Sequence, residues 1–139
     1  LLDFTLRASI ERRSARRSER SDLSPADALR TTLASALPTD DDTRVHWIVT
    51  VALSGAAASD EMLAATQRDA YRDFRGYLIG LLIAIDPNLD TDEARTEAER
   101  LIGLVDGIAV QALFDPASWP PDRQLRALDA GLRTASILS

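Results

Sequence analysis

A helix that is apolar on every side cannot lie at the surface of a protein, and the run Leu101–Phe114 (LIGLVDGIAVQALF) would make such a helix. Its only strongly polar side chains are Asp106 and Gln111. The run must be covered on more than one side, by a core or by a second subunit. Gly103 and Gly107 lie four apart beside Ala109 and Ala112, and small residues at that spacing let another helix approach closely. Asp115-Pro116 ends the run, because proline has no N–H to donate and disfavours helix at the residue before it. Trp119-Pro120-Pro121-Asp122 opens another helix, with proline in the first turn, where no donor is missed. That helix carries Leu125, Leu128, Leu132 and Ala135 at helical period. Together the two helices hold more apolar surface than one subunit can cover, which predicts a dimer interface.

The 139 residues are 45% hydrophobic, enough for one compact domain with a sizeable core. There is no cysteine, which excludes disulfides and thiolate metal sites. The formal charge of −6 is unevenly spread. Residues 1–20 hold Arg7, Arg12, Arg13, Arg16, Arg17 and Arg20 against Asp3, Glu11 and Glu19, while the rest of the chain is strongly acidic. So acidic a body repels nucleic-acid phosphates. The longest apolar run, Gly76–Ile85, is ten residues, about half of what a membrane-spanning helix needs. A cytoplasmic protein without a membrane anchor is expected. The chain starts at Leu1, inside a helical pattern, and reads as part of a longer protein.

Six helices are predicted, with no alternating β pattern, so the fold class is all-α. Leu1–Arg20 has an apolar edge (Leu2, Leu6, Ile10) and a basic stripe (Arg12, Arg13, Arg16, Arg17, Arg20). Ser24 caps a short helix, Pro25–Leu37, with Leu29, Leu33 and Leu37 on one face. The acidic run Asp40–Asp42 favours the start of the next helix, Asp41–Ala58, through its dipole. The expected core stripe there is Val45, Ile48, Val49, Ala52, Leu53 and Ala56, with Trp47, Thr50, Val51 and Ser54 on a second, mixed face. A long helix runs from near Asp60 to Ile85; Met62, Leu63, Ala70, Tyr71 and Phe74 make its first half amphipathic. Asp90-Thr91-Asp92-Glu93 is a capping-box pattern opening Thr91–Phe114, and Pro121–Ala135 is last.

Little in the chain points to catalysis. His46 is the only histidine, no glycine-rich turn precedes a serine, and no phosphate loop or dinucleotide fingerprint is present. Glu97 and Glu99 are two apart and point to different faces, while Asp69 and Asp73 alternate with Arg68 and Arg72 as on a solvated ion-pair face. No catalytic residue, metal site or cofactor is expected; an enzyme built on His46 is the remote rival. Asp106, a lone carboxylate in an apolar run, needs a partner if buried, and Arg75 or Arg100 is the expected one.

From Asp90 onward the sequence resembles the C-terminal regulatory domain of TetR-family transcriptional repressors. In that family a long helix with an L-x-x-L-x-D-G-(aliphatic)-x-x-Q-A pattern ends at a D-P-x-x-(W/F) turn, and a last helix follows. Leu101, Leu104, Asp106, Gly107, Gln111 and Ala112 fill the first pattern, and Asp115, Pro116 and Trp119 the second. The resemblance implies a homodimer on a four-helix bundle, two helices from each subunit, Thr91–Phe114 and Pro121–Ala135. Leu101, Leu104, Val105, Ile108, Ala112, Leu125, Leu128 and Leu132 are the expected interface residues. It further implies a pocket for a small hydrophobic or aromatic effector, with Trp47, Thr50, Tyr71, Phe74, Tyr77, Gln111 and Phe114 as candidate lining. Residues 1–139 would be a single ligand-binding and dimerisation domain, with residues 1–20 as the connector from an N-terminal helix-turn-helix domain that this sequence lacks. Operator DNA would be reached only through that missing domain. The alternative reading is an all-α dimeric interaction module with no small-molecule site.

Overall fold

Each helix of this chain starts at a side chain or proline suited to satisfying or sparing first-turn donors, and those starts fix the chain's division. The computed structural model describes residues 22–134, which form five helices: α1 (Pro25–Ala36), α2 (Asp41–Ala57), α3 (Glu61–Ile85), α4 (Thr91–Phe114) and α5 (Pro121–Arg133). No strand occurs among the described residues, so the fold is all-α as predicted. Five helices are seen where six were expected; the remaining one, Leu1–Arg20, lies outside the described residues. Ser24 accepts from the Asp27 N–H at 3.2 Å, Asp60 from those of Met62 and Leu63, and full capping boxes join Asp40 to Thr43 and Asp90 to Glu93. Asp41 and Asp42 fill the first turn of α2, where negative charge meets the positive end of the helix.

Helix α4 packs against all four other helices and so forms the axis of the domain. It buries Ala94, Ala98, Leu101, Ile102, Val105, Ile108, Ala109 and Ala112. Leu29, Leu33 and Leu37 from the α1 region, Leu78 and Leu82 from α3, and Leu128 and Leu132 from α5 join the same core. Coverage of α4 within the chain is incomplete: Gly103, Gly107, Val110, Gln111 and Phe114 are exposed, and Phe114 keeps 74% of its surface in solvent. At Gly131 α5 comes so close to α4 that a Cβ there would displace the end of the Leu104 side chain.

The expected core stripe of α2 is corrected. Val45 is 60% exposed and Ile48 50% exposed, Ala52 is exposed as well, and Val49 and Ala56 are only half-buried; Leu53 alone of the six is buried. The buried side of α2 carries Thr43, Trp47 and Leu53. Two anchors set this rotation. The Trp47 indole N–H donates to the carbonyl of Ala36 at 2.6 Å, satisfying the polar edge of a large buried ring. The Arg44 guanidinium donates to the carbonyls of Ala112 and Leu113 at 3.3 and 3.0 Å, the acceptors left unpaired at the C-terminus of α4. Met62, expected on the apolar side of α3, is likewise corrected to an exposed residue in that helix's first turn.

Two polar ties hold α5. Gln124, buried, donates its side-chain amide to the carbonyls of Pro38 and Trp119 at 3.3 and 3.0 Å, binding the α1–α2 turn to the start of α5. Arg30 on α1 makes a bidentate pair with Asp129 on α5, at 2.8 and 3.0 Å. Hydrogen bonding from Arg30 and its charge hold the Asp129 carboxyl below the usual carboxylate range. A depressed folded-state pKa contributes stability that is fully present above the unfolded value, about 3.9, and is lost as pH falls through the folded value beneath it. Both side chains are substantially exposed, so the pair is expected to contribute under about 1 kcal/mol. Arg30→Met should therefore cost a few tenths to about 1 kcal/mol at pH 7 in urea melts. The gap between variant and parent should narrow steadily as pH falls below the unfolded carboxylate value of about 3.9; a gap that does not shrink with acidification would refute the assignment.

Candidate functional site

Helices α2, α3 and α4 pack pairwise on one another, and around that junction the core takes on polar groups. Helix α3 is apolar in its second half but brings Tyr71, Phe74 and Tyr77 to half-buried positions against the core. The Tyr71 hydroxyl donates to Oδ2 of Asp106 on α4 at 2.9 Å, across partly buried space. Asp106 had to find a donor, since a carboxylate withdrawn from water is costly without one. On α2 the Thr50 hydroxyl donates to the carbonyl of His46 at 2.9 Å and lies 3.4 Å from that residue's Nε2. The His46 ring meets Trp47 edge-on, with centroids 6.4 Å apart. Further out the Ser54 hydroxyl donates to the Thr50 carbonyl and to the Gln67 side chain, joining α2 to α3.

The expected lining residues fall into three groups. Thr50, Tyr71, Phe74 and Tyr77 are half-buried on the helices that meet at this junction. Trp47 is buried, and its one polar atom is engaged by Ala36, so it serves the core. Gln111 and Phe114 stand apart from these: both are exposed on α4, where the Gln111 amide donates to the carbonyl of Gly107. The apolar character of α4 made both look interior.

Asp106 and His46 are the residues the sequence reading left without a place in this set. The signal for Asp106 was present, a lone acid in an apolar helix. Its donor, Tyr71, lies 35 residues away and is not the expected arginine. Arg100 is occupied by Glu97 at 2.6 Å and by the carbonyl of Gly131, and Arg75 lies 4.0 Å from Glu99. Hydrogen bonding from Glu97 raises the Arg100 pKa above its usual value.

Of the expected interface residues, Leu101, Val105, Ile108, Ala112, Leu128 and Leu132 are buried inside the chain itself, and Leu104 and Leu125 are half-buried. Within the single chain those six build the core, and the exposed residues of α4 beside them are Gly103, Gly107, Val110 and Phe114. Among the described residues, and apart from the helix's own nearby backbone, nothing lies within 4 Å of where a Cβ at Gly103 or Gly107 would sit.

Among the described residues no cluster of three or more His, Asp or Glu side chains could hold a metal ion, and no helix is long and apolar enough to cross a membrane. Residues 25–136 match the profile of the C-terminal domain of BetI-type transcriptional repressors. Among solved structures, a transcriptional regulator from Rhodococcus sp. Rha1 is similar, with a TM-score of 0.81 and 33% identity over 94% of this chain and 68% of that one. No curated protein matches. The agreement of sequence profile, helix order and three-dimensional likeness places the chain in the family of BetI-type, TetR-like transcriptional repressors, as their C-terminal regulatory domain.

Proposed function

We propose that this domain senses a small hydrophobic or aromatic effector at the α2–α3–α4 junction and dimerises through the outer stripe of α4 together with α5. The observation that carries the reading is the Tyr71–Asp106 hydrogen bond, a half-buried polar pair that joins α3 to α4 where plain packing would place leucine. Ligand sites are mostly apolar with a few placed polar groups, and this junction has that make-up. In the full-length regulator, effector binding would shift the spacing of two DNA-reading helix-turn-helix domains and so change operator affinity. Coupling of this kind needs two sites and two global states. That the Rhodococcus regulator extends beyond the matched 68% supports a second domain of this sort.

The test is a thermal-melt screen of the chain against aromatic and aliphatic compound classes, with the two tryptophans as intrinsic reporters. A ligand at 100 times its dissociation constant adds about 2.7 kcal/mol, a melting shift of several degrees. No shift with any class would favour a dimeric interaction module without a small-molecule site. Dimerisation is tested separately with Gly107→Leu. Since Gly107 is exposed and, among the described residues, no neighbouring element lies within 4 Å of its Cβ position, the substitution should leave the subunit folded yet block close approach of a partner helix. The expected result is at least tenfold weaker self-association in sedimentation equilibrium. Unchanged association would remove this face of α4 from the interface.

A further inference from the structure

Gln124 is the fourth residue of α5 and keeps only 2% of its surface exposed. A helical side chain leans toward the N-terminus of its own helix, which carries this amide back to the start of α5. There Nε2 donates to the carbonyls of Pro38 and Trp119 at 3.3 and 3.0 Å, while the enclosed Oε1 receives no hydrogen bond. The two segments that meet at this amide are short of donors. They contain three prolines, Pro38 in the α1–α2 turn and Pro120 and Pro121 at the start of α5, and proline has no N–H. Backbone donors beside them are committed elsewhere: Thr39 to the Leu37 carbonyl at 2.8 Å, Trp119 to that of Asp115 at 3.2 Å, and Arg123 and Gln124 to that of Pro120 at 3.0 and 3.2 Å. The Trp47 indole is spent on Ala36. Turning the amide over brings no relief, because Oε1 would then face two carbonyl oxygens, which only accept.

We propose that Gln124 Oε1 binds a buried water molecule, which completes the joint between the α1–α2 turn and α5. A buried acceptor with no donor is costly, and interior waters occur where otherwise unsatisfied polar groups meet. Water suits this place because it brings two hydrogens on one small centre. One goes to Oε1. The other has acceptors at hand, since a carbonyl oxygen carries two lone pairs and those of Pro38 and Trp119 each engage the amide once. The same amide thus gives its hydrogens to two segments of the chain and takes one back from the water between them. Gln124 is thereby more than filler on the buried side of α5: it organises a hydrated polar joint inside an otherwise apolar core. The inference is independent of the effector and dimer readings.

A high-resolution crystal structure of the whole chain tests this directly, with water-to-protein cross-relaxation NMR as the solution counterpart. The expected result is a water peak about 2.5–3.0 Å from Oε1 with a second protein acceptor in reach, ordered as well as the side chains around it. In solution the side-chain N–H protons of Gln124 should show cross-peaks to water of the sign that marks a long-lived molecule. Gln124→Met keeps the length of the side chain and removes its polar atoms, and its structure should lose the peak. Where that variant fails to fold, the two measurements on the parent chain still decide. An Oε1 with no density beside it, or one met by a protein donor such as the Thr39 hydroxyl, overturns the proposal. So does a Gln124→Met structure that keeps the water in place, because other groups would then be holding it.

Discussion

Replacing Leu101 by alanine is expected to lower the free energy of unfolding by about 3–4 kcal/mol. Leu101 has no exposed surface, and it lies on α4, the helix that touches all the others. Truncation there loses the transfer energy of the removed methyl groups and leaves a cavity whose walls come from several helices at once. Such walls cannot collapse together without moving a whole helix, which is why the upper half of the range for large-to-small changes applies. The matched control is Ile48→Ala on α2. Pattern alone ranks it as core, yet half its surface is in water, so the expected cost is under about 1 kcal/mol. Urea melts of both variants at one fixed protein concentration decide the matter, the concentration being held because self-association would add to apparent stability. A Leu101→Ala cost below that of Ile48→Ala would mean that the rotation of α2 or the centrality of α4 is misjudged.

That pair of substitutions also marks where the sequence stopped being readable. Helix starts were legible because they depend on single residues close in sequence: Ser24 with Asp27, and Asp90 with Glu93, each act within one turn. The place of α4 at the centre was legible because a helix so apolar has nowhere else to go. The rotation of α2 was not. Its sequence DDTRVHWIVTVALSGAA offers apolar residues on two faces, so periodicity gives two answers. The choice between them was made by Trp47 reaching Ala36 and by Arg44 reaching Ala112 and Leu113, contacts that span from 11 to 69 residues. The same limit applies to the candidate site. A lone acid at position 106 announces that it needs a donor, but a tyrosine 35 residues earlier becomes that donor only once α3 and α4 are packed. Gln111 and Phe114 show the converse limit: an apolar helix with one stripe left bare looks, in sequence, like one fully enclosed.

Tyr71→Phe removes one oxygen from the candidate site and leaves the ring, which makes it the substitution that best separates sensing from packing. Asp106 loses its donor from α3. A hydrogen bond to a charged acceptor contributes about 1.5–3 kcal/mol, and the half-buried setting of this one favours the lower end, with a melting temperature lowered by several degrees. If Tyr71 and Asp106 act as a unit, the double change with Asp106→Ala should cost clearly less than the two single changes added, a coupling of at least 0.5 kcal/mol in a double-mutant cycle. The effector arm uses whichever compound class raises the melting temperature of the parent chain most. Should the site lie at this junction, the same compound at the same concentration will shift Tyr71→Phe by less than half as much, because the hydroxyl and the carboxylate it orients are both altered where the ligand sits. Should the variant be destabilised as expected yet respond to the compound as the parent does, the pair is a bracket between α3 and α4 and nothing more. The effector would then have to be sought away from Asp106, on surfaces that α3 and α4 do not share.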